Sequence, residues 1–454
     1  MESVSGEALP PERHPFVLHP HRTLVRLSVP VMLSLIAEPL TGLVDTAFVA
    51  RLGAAPLAAL GVGTVLLSST LWVFNFLGVG TQTEVSHALG AGDRERGREV
   101  SGVALALSIL FGCGLAVLLW PLLGPIARWM GATGSIESGA VTYLEIRLLG
   151  APAVMASVAA FGSLRGLHDM RTPLYIAAAS NALNALLDAV VISGLGPIPG
   201  FGIAGAAWAS TASHWVAALW AVLAVRGRLG LPRTLTFRHA GALLVVGRDL
   251  FFRTVLLVAF IALGTRAATR LGTDAGAAHQ AVRQVWLLTA LALDAFAASA
   301  QSLVGYFLGA GQTPLARRVA GVAVLWSVGT GLALLGGMLA LAGVVAVTLT
   351  PPSARELFAS AWWIAALAQP LNAVSFATDG ICWGARDYRY LRNAMAFSSL
   401  VGSALLLGTD ALGHASLPGV WAITACWICL RASLGAARIW PGIGKAAPLA
   451  GISR

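Results

Sequence analysis

Apolar stretches of about 20 residues recur along the whole chain, separated by short segments rich in arginine, glycine and proline. Each stretch is long enough to cross a hydrocarbon core of ~30 Å as an α-helix, the only open-chain form that satisfies its own backbone groups in lipid. Twelve such spans are predicted: 24–50, 57–86, 99–123, 140–165, 173–194, 202–225, 247–271, 276–307, 318–348, 354–384, 390–411 and 416–437. The first 22 residues hold Pro10, Pro11, Pro15 and Pro20 among charged residues and do not read as a signal peptide. His14, His19 and His21 fall in this expected flexible tail.

A segment of the first half returns in the second at a fixed offset of 219. Arg51-Leu52-Gly53 reappears as Arg270-Leu271-Gly272, Gln82 as Gln301, Leu89-Gly90-Ala91-Gly92 as Leu308-Gly309-Ala310-Gly311, and Arg98 as Arg317. Gly166 and Asp169 return at 218 as Gly384 and Asp387. An even number of helices separates equivalent points, so the two copies keep the same orientation in the membrane. The expected fold is all-α and integral to the membrane: twelve transmembrane helices in two pseudo-symmetric six-helix lobes. The expected domains are a cytoplasmic tail over 1–22, an N-lobe over 23–225, a cytoplasmic linker over 226–246, a C-lobe over 247–438 and a C-terminal tail over 439–454. Two lobes that rock about a midplane site fit alternating access.

Arginines fix the orientation. Fifteen fall in the loops after even-numbered spans against four (Arg51, Arg128, Arg270 and Arg355) after odd-numbered ones. Both termini are therefore expected in the cytoplasm of a multi-pass protein of the bacterial inner membrane.

Composition removes several function classes. Of 454 residues 57% are hydrophobic and only 11% charged, against about a quarter charged in soluble domains. A soluble enzyme is excluded. The net charge of +10 reflects 20 acids against 30 bases, only Lys445 being lysine, rather than a dense basic face, so no nucleic-acid partner is expected. No P-loop, HExxH or paired-aspartate protease motif occurs, which argues against ATP-driven transport and against an intramembrane enzyme. Cys426 and Cys429 form a C-x-x-C inside an apolar helix, where they read as small packing residues.

A charge at membrane depth costs at least ~2.5–3.5 kcal/mol, so each needs a reason. In the first half Glu38, Asp45, Glu84, Glu145 and Asp188 lie inside predicted helices with Asn181 and Asn184. The repeat replaces Asp45 by Gly264, Glu84 by Leu303, Asn181 by Ser399, Asn184 by Gly402 and Asp188 by Leu406. A six-helix bundle thus forms without these polar groups, and the cluster is expected to be a site confined to the N-lobe. Asn181, Asn184 and Asp188 follow i, i+3, i+7 spacing and share one helix face. If the helices carrying Asp45 and Asp188 face each other, two carboxyls share a dry pocket in which both cannot readily ionise, which makes the pair a proton-binding device. The alternative reading is interhelical hydrogen-bond glue worth ~0.6 kcal/mol per contact. Pro30 removes one backbone hydrogen bond from the first helix and marks a bending point. Asp294 and Asp379 are the remaining C-lobe acids, with Arg266, Arg283 and His279 as candidate partners. With Glu38 and Glu84 they form a secondary set.

Several of these stretches resemble the MATE (multidrug and toxic compound extrusion) transporters, in particular their DinF branch. Pro30 followed by Pro39-Leu40-Thr41-Gly42-Leu43-Val44-Asp45-Thr46-Ala47 and Arg51-Leu52-Gly53 is similar to that branch's first helix. Phe76-Leu77-Gly78-Val79-Gly80-Thr81 is similar to its second, and Asn181-Ala182-Leu183-Asn184-Ala185-Leu186-Leu187-Asp188 to its N-x-x-N-x-x-x-D fifth. Gly205-Ala206-Ala207-Trp208-Ala209-Ser210, Leu293-Asp294-Ala295-Phe296-Ala297 and Asp379-Gly380-Ile381 resemble helices 6, 8 and 10, so the likeness spans about 22–435.

The resemblance implies an antiporter that exports small amphipathic, often cationic drugs in exchange for protons, a monomer among membrane lipids with no cofactor beyond the coupling ion. It implies Asp45 and Asp188 as proton-coupling carboxyls, Asn181, Asn184 and Ser210 as the N-lobe polar network, and Pro30 as the bending point. Ser210 stands where threonine is usual and His214 where an acid is often seen; Asn372 stands where the NorM branch carries a carboxylate, so no sodium site is expected there and no metal is assigned. Two alternatives stay open: a Na+-coupled exporter, since an Asp/Asn/Asp cluster also suits oxygen ligation of a small cation, and a lipid-linked saccharide flippase, which shares the two-lobe design.

Overall fold

The computed structural model describes residues 11–194, 199–232, 234, 240–444 and 447–450. Among them, twelve long helical segments coincide with the predicted spans: α1 (Pro20–Ala50), α2 (Ala54–Gly90), α3 (Arg94–Trp129), α4 (Ser135–Leu148 and Ala151–Gly166), α5 (Arg171–Val191), α6 (Gly202–Arg228), α7 (Ala240–Arg270), α8 (Thr273–Gly309), α9 (Thr313–Leu349), α10 (Pro352–Leu367 and Gln369–Gly384), α11 (Tyr388–Ala411) and α12 (Leu417–Ile439). The helices overrun the apolar spans by a few residues at most ends, because charged and capping residues continue the helix past the hydrocarbon. Asp93 marks one such end, its carboxylate accepting from the Arg96 N–H at 3.0 Å. Nine of the helices, or up to eleven if α4 and α10 are each one broken span, are long and apolar enough to cross a membrane. Helix α7, 31 residues long, carries Arg248, Asp249, Arg253 and Arg266 along its length and is not among them.

The duplication read in the sequence is written into the backbone. Gly53 and Gly272 adopt φ of 117° and 119°, Gly92 and Gly311 adopt 73° and 71°, and the corresponding non-glycine pair His168 and Arg386 adopts 62° and 59°. Helices α4 and α10 are bent by 48° and 47° at equivalent breaks. Close packing repeats as well. A Cβ on Gly166 would lie 2.8 Å from the Gln82 carbonyl oxygen, and one on Gly384 would lie 2.5 Å from that of Gln301, the residue equivalent to Gln82. These glycines recur because α4 rests backbone to backbone on α2, and α10 on α8.

Repeated charges are explained the same way. Arg98 donates from Nε to the Leu229 carbonyl at 2.8 Å, and its counterpart Arg317 donates to the Trp440 carbonyl at 3.4 Å. Each arginine thus closes the C-terminal end of its lobe's last helix, where carbonyls lack intrahelical donors. The equivalent Asp169 and Asp387 each pair with an arginine in the last turn of their lobe's final helix, Arg228 at 3.4 Å and Arg438 at 2.6 Å.

The chain divides into two compact units, Leu33–Gly247 and a second comprising Arg248–Arg454 with the segment up to Met32. These limits differ from the expected ones. The division falls inside α1, two residues after Pro30, and inside α7, rather than at residue 23 and in the 226–246 linker. The tail from His14 is not free: the His14 ring lies 4.8 Å from that of Tyr306, Phe16 is fully buried with its ring 5.8 Å from Phe307, and the Trp326 indole donates to His21 at 3.1 Å. Aromatic burial outweighs the exposure that four prolines suggested. Arg233 and Arg238 of the linker lie outside the described residues. In the first unit α2, α3, α4 and α6 share a core of alanines and leucines with Phe74, Phe76 and Phe111 against it. The second unit's core, around Trp286, Trp362, Trp421 and Trp427, lies among α7, α8, α10, α11 and α12.

Candidate functional site

Within the Leu33–Gly247 unit, α1, α4, α5 and α6 converge on a polar cluster in an otherwise apolar interior. Helix α5 brings Asn181, Asn184 and Asp188 to one face, as their spacing requires, and packs along α6. Asp45 of α1 is 8% exposed, so its carboxyl points inward and not to lipid. Ser210 of α6 donates to Asp45 Oδ2 at 3.4 Å. With the Asn184 amide turned so that both its ends are satisfied, Nδ2 donates to Asp45 Oδ1 at 2.8 Å while Oδ1 accepts from the Ser210 N–H at 3.2 Å. Asn181, expected in the same network, points elsewhere: its Nδ2 donates to the Ala37 carbonyl at 2.9 Å, which fastens α5 to the stretch of α1 before Asp45.

Asp188 is fully buried, and neither of its oxygens meets an N–H or O–H donor among the described residues. Its side chain instead neighbours the Asp45 carboxyl closely enough for the two to interact. Two carboxylates are acceptors only, so a hydrogen bond between them exists only while one of them carries a proton. The cluster can therefore hold one proton on a pair of oxygens, with Asn184 and Ser210 satisfying the remaining lone pairs of Asp45.

A cation stands beside this pair that the sequence reading passed over. Arg147 of α4 donates through Nη2 to His214 Nε2 at 3.3 Å, and its Nε and Nη1 are buried with no hydrogen-bond acceptor among the described residues. It is near enough to act electrostatically on Asp45 without forming an ion pair with it. The signal was available: Arg147 sits at membrane depth, four residues after the buried Tyr143, and His214 sits four after Ser210, so each pair shares a helix face.

The secondary acids are scattered. Glu84 is buried on α2 and pairs with Arg96 at 3.1 Å, close to the α2–α3 turn. The side chain of Glu38 lies outside the described residues. Asp294 is half-buried on α8. Asp379 on α10 is held by Arg253 of α7 and by Arg431 of α12, the latter at 2.7 Å. Neither Arg266, Arg283 nor His279 is its partner: Arg283 bonds Gln280, and His279 meets Thr265 at 3.2 Å. Pro30 is buried in an uninterrupted α1. Among the described residues no group of three or more His, Cys, Asp or Glu is placed to hold a metal ion.

The MatE family model matches residues 30–190 and 250–406, one match in each half of the duplication. Protein DETOXIFICATION 44, chloroplastic, of Arabidopsis thaliana is 32% identical over 92% of the chain and 81% of the relative. DNA damage-inducible protein F of Escherichia coli is 29% identical over 94% and 93%. The probable multidrug resistance protein NorM of Burkholderia pseudomallei is 27% identical over 94% and 90%. A crystal structure of MATE in the bent conformation matches with a TM-score of 0.85 at 23% identity, covering 92% of this chain and 94% of that one, and so shares its fold. With both halves of the repeat matched, the chain belongs to the MATE (MatE) family and is a multi-pass membrane transporter rather than an enzyme.

Proposed function

We propose that the protein is a secondary antiporter that expels small amphipathic, often cationic compounds in exchange for protons taken up by Asp45 and Asp188. The observation that carries this reading is the buried pair itself, in which Asp188 neighbours Asp45 and meets no N–H or O–H donor among the described residues. Without that proton the pocket holds two carboxylates against one arginine and attracts a cation. With it, the negative charge falls by one and the cation is released. A proton and a substrate thus compete for one pocket, and their opposed affinities supply the coupling. A membrane potential adds about 2.3 kcal/mol per charge per 100 mV to inward proton movement. Pro30, which leaves the Arg26 carbonyl without its helical donor, gives α1 a place to bend as Asp45 changes state.

The protein works in this reading as a monomer in a bacterial plasma membrane with both termini in the cytoplasm. Its relatives named for multidrug resistance support the substrate class, and the arginine asymmetry of the loops supports the orientation. The test is reconstitution in liposomes loaded with a cationic dye. An imposed pH gradient is expected to drive dye movement in the wild type and none in Asp45→Asn, which elutes as a folded protein. Movement driven by a sodium gradient at equal pH, or by pH in Asp45→Asn, overturns the proposal.

A further inference from the structure

The second unit contains a buried cluster with an excess of positive charge. Arg253 and Arg431 are 8% and 6% exposed, and both donate through Nη2 to the same oxygen of Asp379, itself 5% exposed. Two guanidinium ions therefore share one carboxylate. The Nε of each arginine is buried without a hydrogen-bond partner among the described residues. Asp249 and Asp387, which lie on the same helices or next to them, are engaged by Arg392 at 2.7 Å and Arg438 at 2.6 Å and do not supply the missing charge. Each guanidinium of the cluster is backed by an indole: Arg253 lies 5.2 Å from the Trp383 ring centroid and Arg431 lies 4.5 Å from that of Trp427.

A structural ion pair has no need of the second arginine, because burying an uncompensated cation costs several kcal/mol. The arrangement suits a ligand instead. Planar guanidinium forks match the two oxygens of a carboxylate, and the indoles stacked on them hold each fork in place. We propose that Arg253 and Arg431 form a buried binding site for the carboxylate of an organic anion, which Asp379 fills from within the fold until such a ligand displaces it. The site is separate from the Asp45–Asp188 pair and does not depend on its role.

The proposal makes a prediction opposite in sign to that of a structural ion pair. Asp379→Asn removes the tethered competitor and leaves both cations in place. Purified full-length protein in detergent is titrated with benzoate, with binding read by calorimetry and thermal stability. Asp379→Asn is expected to bind benzoate at least about tenfold more tightly than the wild type, since a tethered group competes at a high effective concentration. Adding Arg253→Gln or Arg431→Gln to it is expected to abolish binding, and Asp45→Asn is expected to bind as the wild type does. Absence of binding to Asp379→Asn, its persistence in either double variant, or equal stabilisation by chloride at the same ionic strength overturns the proposal. Should Asp379→Asn not fold, recovery of folded protein when benzoate is present during purification supports the site, and no recovery refutes it.

Discussion

Replacing Asp188 by asparagine and by leucine separates a hydrogen-bonding role from a proton-carrying one. Asparagine offers a permanent N–H to the Asp45 carboxylate at the place where the wild type needs a shared proton. A hydrogen bond to a charged group contributes about 1.5–3 kcal/mol, whereas leucine offers no donor and leaves the inward-facing Asp45 with only Ser210 and Asn184. For a unit of about 150–250 residues each kcal/mol corresponds to roughly 2–4 °C in Tm, so Asp188→Leu is expected to unfold roughly 3–12 °C below Asp188→Asn. Both variants are expected to lose pH-driven transport, because neither keeps the second carboxyl with which Asp45 shares the proton it takes up and releases. The first readout is thermal unfolding in detergent followed by size-exclusion chromatography; the second is dye movement in liposomes. Equal Tm values for the two variants would show that the Asp45–Asp188 contact carries no energy. Retained transport by Asp188→Asn would show that it carries no proton.

Two further outcomes follow from the packing and the charges. Gly384→Ala places a Cβ 2.5 Å from the Gln301 carbonyl oxygen and is expected to cost about 1–3 kcal/mol, while Gly408→Ala, with nothing within 4 Å, is expected to stabilise α11 by about 0.5–1 kcal/mol; thermal unfolding of the pair reads the opposite signs directly. Arg147→Gln removes the cation beside Asp45, so the apparent KM for a cationic dye is expected to fall about three- to tenfold, as measured by initial rates in liposomes.

The helices were legible because a period of apolar residues about 20 long has one physical solution in a membrane. The repeat was legible because backbone contacts preserve their glycines: Gly166 and Gly384 could be paired from the sequence before their packing was known. Asp45, Asn184 and Asp188 were legible as buried polar residues on defined helix faces. What a face looks at was not. Helical spacing gives the direction of a side chain but not the register of the neighbouring helix, so Asn181 was grouped with the network and is instead tied to Ala37. Asp379 was matched with Arg266, Arg283 and His279, although its partners come from four turns earlier on α7 and from α12. Arg147 was harder to read, because a cation inside a span belongs neither to the loop charges that orient the chain nor to the acids that suit proton chemistry.

The division of the chain inside α1 and α7 bears on how the protein is made. The segment up to Met32 leaves the ribosome before the Leu33–Gly247 unit yet belongs with residues synthesised after it, and the beginning of α7 belongs with the half before it. A nascent chain can therefore complete the Leu33–Gly247 unit during synthesis, while its leading end must wait for α8 and α9 to appear. Cutting the gene at the arginine-rich linker would separate the Leu33–Gly247 unit from the beginning of α7 and the other unit from the beginning of α1, so the two fragments would need to be produced together in one membrane to mature.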